Sequence, residues 1–525
     1  MDILIIGLDG LSYNMLDRFD IDFPYLDQVR DEGVSGHLMS VDTPTTIPAW
    51  TSFATGKDPG SHGIYGMNQI SPEYEHGSPD INTTDPAIYD LLDDSLFINL
   101  PASHNRIPAG ENTYVQSSLM STDKEEMTPE PLQELDSYED YIPVDDKSLK
   151  LGLGDYRDRL AEIVRSRKRF TDEAFEKYDP RVGFVLFSTT DWAGHLLSKL
   201  SSEEDHQEFY RRLATEVAEA TEQLSRHSEN VVLMSDHGFE HKHTTIHLAD
   251  WLSDQGYLVE RSSGDQTSTG IVDRAMDGSA RMAVKAAKTV SRRSDRVYGA
   301  LRVLYNRLLG SEIGSRIEDA AQLNIDYQNS KVFHLRYGCL FINDERFENP
   351  QVTGDDVTEL RDELVSQLET LTNGEGERIF REVLTADEVY ADPGEHMPDI
   401  VPRPASGHHA ITHRSPTGGY TSPTSSHEHR YRGIFAAKGP LFESGEVQNM
   451  SIVDVLPTVL AALGEGVSPD FDGDVRMDTL SRTSDPNRLS RDDLPTPSVE
   501  NETERQREER NDAVEERLSD LGYMN

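Results

Sequence analysis

Residues 2–8 read DILIIGL and run straight into Asp9-Gly10. The run is strand length, and its unbroken apolarity marks a strand buried on both faces, as in a parallel sheet. The polar pair then falls at the strand's carboxyl end. The same arrangement recurs twice downstream. Gly183–Phe187 ends in Ser188-Thr189-Thr190-Asp191, and Asn230–Met234 ends in Ser235-Asp236-His237-Gly238. Amphipathic helices are predicted between them, over Tyr156–Lys177 and 202–228. Strand, helix and strand thus alternate repeatedly. That order predicts an α/β fold, a doubly wound and mostly parallel sheet flanked by helices, with ligands gathering at the carboxyl ends of the strands.

Outward from this frame, Pro24–Glu32 reads as a short helix stopped by Gly33. Thr43–Pro48 reads as a turn, and Ala49–Ala54 as a helix start. Residues 60–150 are polar and rich in Asp, Ser, Pro and Gly, and read as loops and short elements over the core. Residues 260–325 break the pattern: nine Lys/Arg lie between Ile271 and Leu308 against three Asp, in a segment of helical character. The expectation is a basic helical insertion, paired internally as a cap. The strand pattern resumes after Lys331 with Cys339–Ile342 and Gly433–Ala437, and Asp454–Leu463 closes as a helix. The expected organisation is a catalytic core from 1–259 and 326–477, the cap, and a polar linker with a charged C-terminal helix over 478–525.

Composition narrows the function. Of 525 residues 36% are hydrophobic, and no run approaches the roughly 20 apolar residues of a spanning helix. No basic residue precedes the first strand, so a signal peptide is not expected and a cytoplasmic location is. Fifty basic against 95 acidic residues give −45, a field that repels nucleic acid polymers and anionic membranes. Such a carboxylate-covered surface suits concentrated salt, where screening removes the self-repulsion, and suggests a halophilic source. Cys339 is the only cysteine, so a thiolate metal cluster is excluded and any metal site must use Asp and His.

The residues that can carry chemistry are Asp9, Thr46, Asp191 with His195, and Asp236 with His237, joined by His427 and His429 just before Gly433. Carboxylate oxygens and imidazole nitrogens are the donor set of zinc or manganese. Asp191 and His195, four apart, share one face if the backbone there is helical. Singly, each has a plain reading as a strand-end turn residue or a packed histidine. Their order and common placement give the set its weight.

Seven stretches resemble a known family: IIGLDGL at 5–11, TPTTIPAWTSFATGKDPGSHGI at 43–64, STTDWAGH at 188–195, MSDHGF at 234–239, MPDIV at 397–401, HRYRGIFAAKGP at 429–440 and IVDVLPTVLAALG at 452–464. Together they resemble the type I phosphodiesterase/nucleotide pyrophosphatase branch of the alkaline phosphatase superfamily. The resemblance implies an alkaline phosphatase-like fold and two divalent ions, Zn²⁺ or alternatively Mn²⁺. Asp9, Thr46, Asp236 and His237 match the ligands of one ion. Asp191, His195 and His429 match those of the other, with His429 chosen over His427 by its distance from Gly433. His408, His409 and His413 match no ligand.

The resemblance further implies that Thr46 is the nucleophile of a metal-dependent phosphoric ester hydrolase. It would cleave a phosphodiester or pyrophosphate bond of a small phosphate-ester substrate through a phospho-threonine intermediate. A phosphomonoesterase, a phosphotransferase and a non-catalytic scaffold are the alternatives. Eukaryotic nucleotide pyrophosphatases carry Asn three residues after the nucleophile, where this chain has Ala49, followed by Trp50, so nucleotide specificity does not carry over. Trp50 reads either as a stacking surface for a leaving group or as a core residue. The Cys/Ser-x-Pro-x-Arg context of sulfatases is absent. Nothing in the pattern sets an oligomeric state.

Overall fold

A computed structural model describes residues 1–261, 325–481 and 486–499, apart from 80, 82–84, 120, 122, 145–152, 198–199, 201–202, 395, 412–414 and 416–418. Most of the basic segment, the charged C-terminal stretch and His413 lie outside the described residues.

The central sheet has eight strands: Ile3–Leu8 (β1), Val34–Met39 (β2), Ser95–Pro101 (β3), Tyr114–Ser118 (β4), Val182–Phe187 (β5), Val231–Met234 (β6), Arg432–Lys438 (β7) and Gly445–Ser451 (β8). Their spatial order is β8-β2-β7-β6-β1-β5-β3-β4. All neighbours are parallel except at β7, which runs antiparallel to β2 and β6. β1 lies between β5 and β6, and the strands that follow it in the chain fall on both sides, β2 beyond β6 and then β3 and β4 beyond β5, so the winding reverses beside β1, where ligand crevices form in a doubly wound sheet. Leu8 pairs with Phe187 and Gly7 with Met234, which brings the three carboxyl ends level.

Alternation along β1 separates two cores. Leu4, Ile6 and Leu8 face one side with Leu160, Ile163 and Phe170 of the helix Leu153–Tyr178. Ile3 and Ile5 face the other with Trp50 and Phe53. Trp50 and Phe53 belong to the helix Thr46–Thr55, α1, which begins at Thr46 itself, three residues before the expected start. Trp50 is fully buried, edge-on to Phe53 and Phe184 with centroids 5.7 Å away in each case. It is a core residue and not a stacking surface. Gly7 makes room for it: a Cβ there would lie 2.6 Å from Leu186 Cδ1 and 2.7 Å from Trp50 Cη2. Gly7→Ala is therefore expected to cost about 1–3 kcal/mol by overpacking, read from the denaturant midpoint.

Three expectations need correction. Residues 60–150 are not only loops and short elements over the core, because β3 and β4 extend the central sheet. Leu96-Phe97-Ile98 is a buried run too short to stand out between Asp93-Asp94 and Pro101. The strand at Cys339–Ile342 forms as Leu340–Ile342, but in a separate antiparallel sheet with Val332–His334, Ile400–Pro404 and Phe380–Thr385. That sheet has its own core with Leu360, Leu364 and Leu368 of the helix Asp355–Glu369. The described part of the tail is not a free linker either. Asn487–Arg488 pairs with Gly466–Val467, and Ser498–Val499 pairs with Arg106–Ile107. The helix at Pro24–Glu32, capped by Gly33, forms where expected.

Candidate active site

The carboxyl ends of three adjacent parallel strands, β5, β1 and β6, each deliver one acidic residue. Asp9 follows β1, and Asp236 with His237 follows β6. Asp191 lies in the first turn of the helix Thr189–Leu196, which follows β5. That helix puts His195 one turn after Asp191, with Nε2 3.5 Å from Asp191 Oδ1. Because β7 is antiparallel, it begins where its neighbours end. The strand Thr421–Arg430 leading into it therefore brings His429 to the same edge, opposite Phe239 of the strand Gly238–His247.

Two clusters result: Asp9, Asp236 and His237, and Asp191, His195 and His429. Within each, the ligand atoms lie within 4.8 Å of one another. His237 Nε2 is 3.2 Å from Asp236 Oδ2, 3.7 Å from Asp9 Oδ1 and 3.9 Å from Asp191 Oδ1, so it sits between them. His429 Nε2 is 3.1 Å from Asp191 Oδ1 and 3.0 Å from His195 Nε2. Its other nitrogen, Nδ1, donates to Pro44 O at 2.8 Å, which fixes the tautomer and aims Nε2 at the carboxylate. The His237 and His429 rings stack at 3.8 Å.

Electrostatics make this an unbalanced place in the protein alone. Burial, then the Asp236 and Asp191 charges, raise Asp9 well above the ordinary carboxylate range. Burial, then Asp191, raise Asp236. Burial, followed by the neighbouring His429, pushes His237 down to about 3. Both Asp9 oxygens, Asp236 Oδ2, His237 Nε2 and the Thr46 hydroxyl are buried without a hydrogen-bond partner. Buried ionisable atoms left in this state fit cations, because an unpaired buried charge is otherwise very costly. The donor set suits a divalent ion of the zinc or manganese kind.

Thr46 occupies the first turn of α1 and is fully buried. The Ala49 N–H already donates to Thr45 O at 3.1 Å, and Pro48 has none. The helix-start donors left to an anion are therefore those of Thr46 and Ile47. The far half of α1 is tied by His62, whose Nδ1 accepts the Ile64 N–H at 3.1 Å while Nε2 meets Ser52 Oγ at 2.9 Å. His427 is directed elsewhere: it pairs across the ladder with His241, and its ring meets those of His241 and His206 edge-on at 5.2 and 5.4 Å. His408 and His409 lie on the strand His408–Ile411, beside Thr244 and Thr245.

Four residues escaped the sequence reading: Asp42, Tyr390, Arg403 and Tyr431, which hold the loop ahead of Thr46. The position of Asp42 four residues before Thr46 was a signal for one of them. No local pattern could join it to Arg403.

No helix among the described residues is long and apolar enough to cross a membrane. No curated protein sequence matches the chain. Among solved structures, human ectonucleotide pyrophosphatase/phosphodiesterase 5 aligns at TM-score 0.50 and 15% identity, over 92% of this chain and 100% of that one. Phosphonoacetate hydrolase from Sinorhizobium meliloti, in complex with phosphonoformate, aligns at TM-score 0.51 and 14% identity, over 87% and 94%. At such identities the likeness shows a shared alkaline phosphatase-like fold. The family profile described as type I phosphodiesterase / nucleotide pyrophosphatase matches residues 3–431. With that match over most of its length, the chain belongs to the type I phosphodiesterase/nucleotide pyrophosphatase family of hydrolases.

Proposed function

We propose that the chain hydrolyses a phosphodiester or pyrophosphate bond of a small phosphate ester, with Thr46 as nucleophile and two divalent ions as cofactors. The observation that carries this is the buried Thr46 hydroxyl at a helix N-terminus, in a fold that also collects two Asp/His clusters, the one around Asp9 with buried ligand atoms that have no hydrogen-bond partner. Asp9, Thr46, Asp236 and His237 are the residues to hold one ion, and Asp191, His195 and His429 the other. Bound there, the cations would lower the pKa of a contacting hydroxyl and offset charge on the phosphoryl oxygens. Thr46 Oγ1 gives up its proton to solvent and forms a bond to phosphorus as the bond to the leaving oxygen breaks; the leaving group departs with that electron pair and takes up a proton from water, which yields phospho-threonine. Water then forms a bond to phosphorus as the Thr46 Oγ1–phosphorus bond breaks, the phosphate product leaves, and a proton from the water restores the hydroxyl. The Thr46 and Ile47 N–H groups face the developing negative charge from the helix end. Ala49 offers no side-chain donor to the phosphate, which leaves the choice of leaving group to other walls of the site.

The test is turnover of bis(p-nitrophenyl) phosphate with Zn²⁺ or Mn²⁺, at the high salt that a chain of charge −45 calls for. Faster cleavage of p-nitrophenyl phosphate would assign a monoesterase, and cation binding without hydrolysis a scaffold. The ligand choice has its own check. His427→Ala is expected to keep turnover within about threefold of wild type with full metal content, whereas His429→Ala loses at least about 100-fold. Equal losses in both variants would undo the assignment of His429.

A further inference from the structure

The loop that leads into Thr46 is held at three successive residues by hydrogen bonds to other parts of the chain. Arg403, on the strand Ile400–Pro404, forks onto the Asp42 carboxylate, with Nε 3.0 Å from Oδ1 and Nη2 2.6 Å from Oδ2. The Tyr431 hydroxyl donates to the same Oδ1. The Tyr390 hydroxyl donates to the Asp42 main-chain oxygen at 2.8 Å. Thr43 Oγ1 donates to Tyr65 O at 3.0 Å, and Pro44 O accepts from His429. Asp42 is only 7% exposed, so its bidentate pair is shielded from water, where such charge-assisted contacts are strongest. Arg403 is itself oriented by Glu382, 2.9 Å from Nη1 on the adjacent strand. Arg403 and Tyr390 both come from the separate four-stranded module rather than from the central sheet.

We propose that Asp42 and Arg403, helped by Tyr390 and Tyr431, are positioning residues that fix the Thr46 hydroxyl for attack, which makes the four-stranded module a working part of the active site. The inference rests on Thr46 being the nucleophile. None of the four is a candidate metal ligand, and none needs to touch the substrate. Their contribution is geometric: they restrict a loop whose freedom would let the hydroxyl drift from its line of approach, and a misplacement of about 1 Å costs on the order of 100-fold in rate.

The experiment compares Asp42→Asn, Arg403→Gln, the double variant and Tyr390→Phe with wild type, measuring kcat and KM for bis(p-nitrophenyl) phosphate, metal per chain and melting temperature. Asp42→Asn and Arg403→Gln are each expected to lower kcat about 30- to 100-fold, with KM and metal content within about twofold. The double variant should be no more than about threefold worse than the poorer single one, because the pair acts as a unit. Added guanidinium should restore part of the kcat of Arg403→Ala, which a merely structural loss would not allow. A folded, metal-loaded Arg403→Gln with kcat within about threefold of wild type overturns the proposal, as do losses that multiply in the double variant. Should Arg403→Gln not fold, Tyr390→Phe carries the test, since it removes a single oxygen. A loss of about tenfold supports the proposal and one under about twofold rejects it. Thr46→Ala in the same assay separates the two levels. If it stays active, the nucleophile is wrong. If it is dead while the Asp42 and Arg403 variants run at wild-type kcat, only the positioning role fails.

Discussion

Thr46→Ala is expected to lower kcat for bis(p-nitrophenyl) phosphate by at least about 1,000-fold while the protein still folds and binds cations. The side chain is fully buried and its hydroxyl has no hydrogen-bond partner, so its removal strands no other group and takes away one hydroxyl and one methyl. The six remaining candidate ligands stay in place, so metal content at saturating Zn²⁺ should be close to that of wild type. Thr46→Ser, which keeps the oxygen, should recover most of the loss. The nearest rival is Thr45, the residue before the helix, whose hydroxyl is also buried and without a partner. Thr45→Ala should retain turnover within about tenfold. If the Thr45 variant is the inactive one, or if Thr46→Ala keeps a tenth of the activity, another oxygen makes the attack.

How far the sequence leads depends on the range of the physical signal. Asp9, Asp191 and Asp236 stand out because each follows a short apolar run, and a buried parallel strand is among the clearest local patterns. The doubly wound sheet follows from the same runs. His195 is legible because helical spacing puts it one turn after Asp191, and the helix Thr189–Leu196 provides that spacing. Other features depend on contacts that no window can see. The β3 run, Leu96–Ile98, is too brief to register amid polar neighbours, and it becomes a strand only by pairing with β5 on one side and β4 on the other. Leu340–Ile342 looks like any core strand, yet its antiparallel partners are Val332–His334 and Ile400–Pro404, which place it in another sheet. Asp42 and Arg403 are 361 residues apart, and an arginine in a strand of an acidic protein has countless other partners. Motif likeness singled out Thr46 as the candidate nucleophile and could not place Asp42, whose contacts form only when the second module folds against the first.

Chelation is expected to stop turnover completely, and also to change how stability depends on pH. Without cations, Asp9 and Asp236 share a buried site with Asp191, and both are raised above their ordinary range, first by burial and then, for Asp9, by the Asp236 and Asp191 charges and, for Asp236, by that of Asp191. A carboxyl whose pKa is raised in the folded protein holds its proton when the unfolded chain has released it. The folded state then binds more protons than the unfolded one, and stability falls as pH rises. For the chelated protein these two carboxyls pull stability down from near pH 4, about where an unfolded aspartate ionises, while His237, held neutral by burial, works the other way up to about pH 6.5, so the decline is steepest above that, as the raised groups lose their protons. Bound cations reverse the sign, since they stabilise the ionised carboxylates and compete with protons for them. The difference in melting temperature between metal-loaded and chelated protein should therefore be small at pH 5 and widen towards pH 8. Paired melts with Zn²⁺ or with a chelator, at constant salt, give the measurement. A gap that stays constant or narrows with pH would mean that the ions do not sit among Asp9, Asp191 and Asp236. Asp236→Asn sharpens the result, because it removes one of the raised carboxyls. The chelated variant should match or exceed wild type in stability at pH 8, while losing metal and activity together.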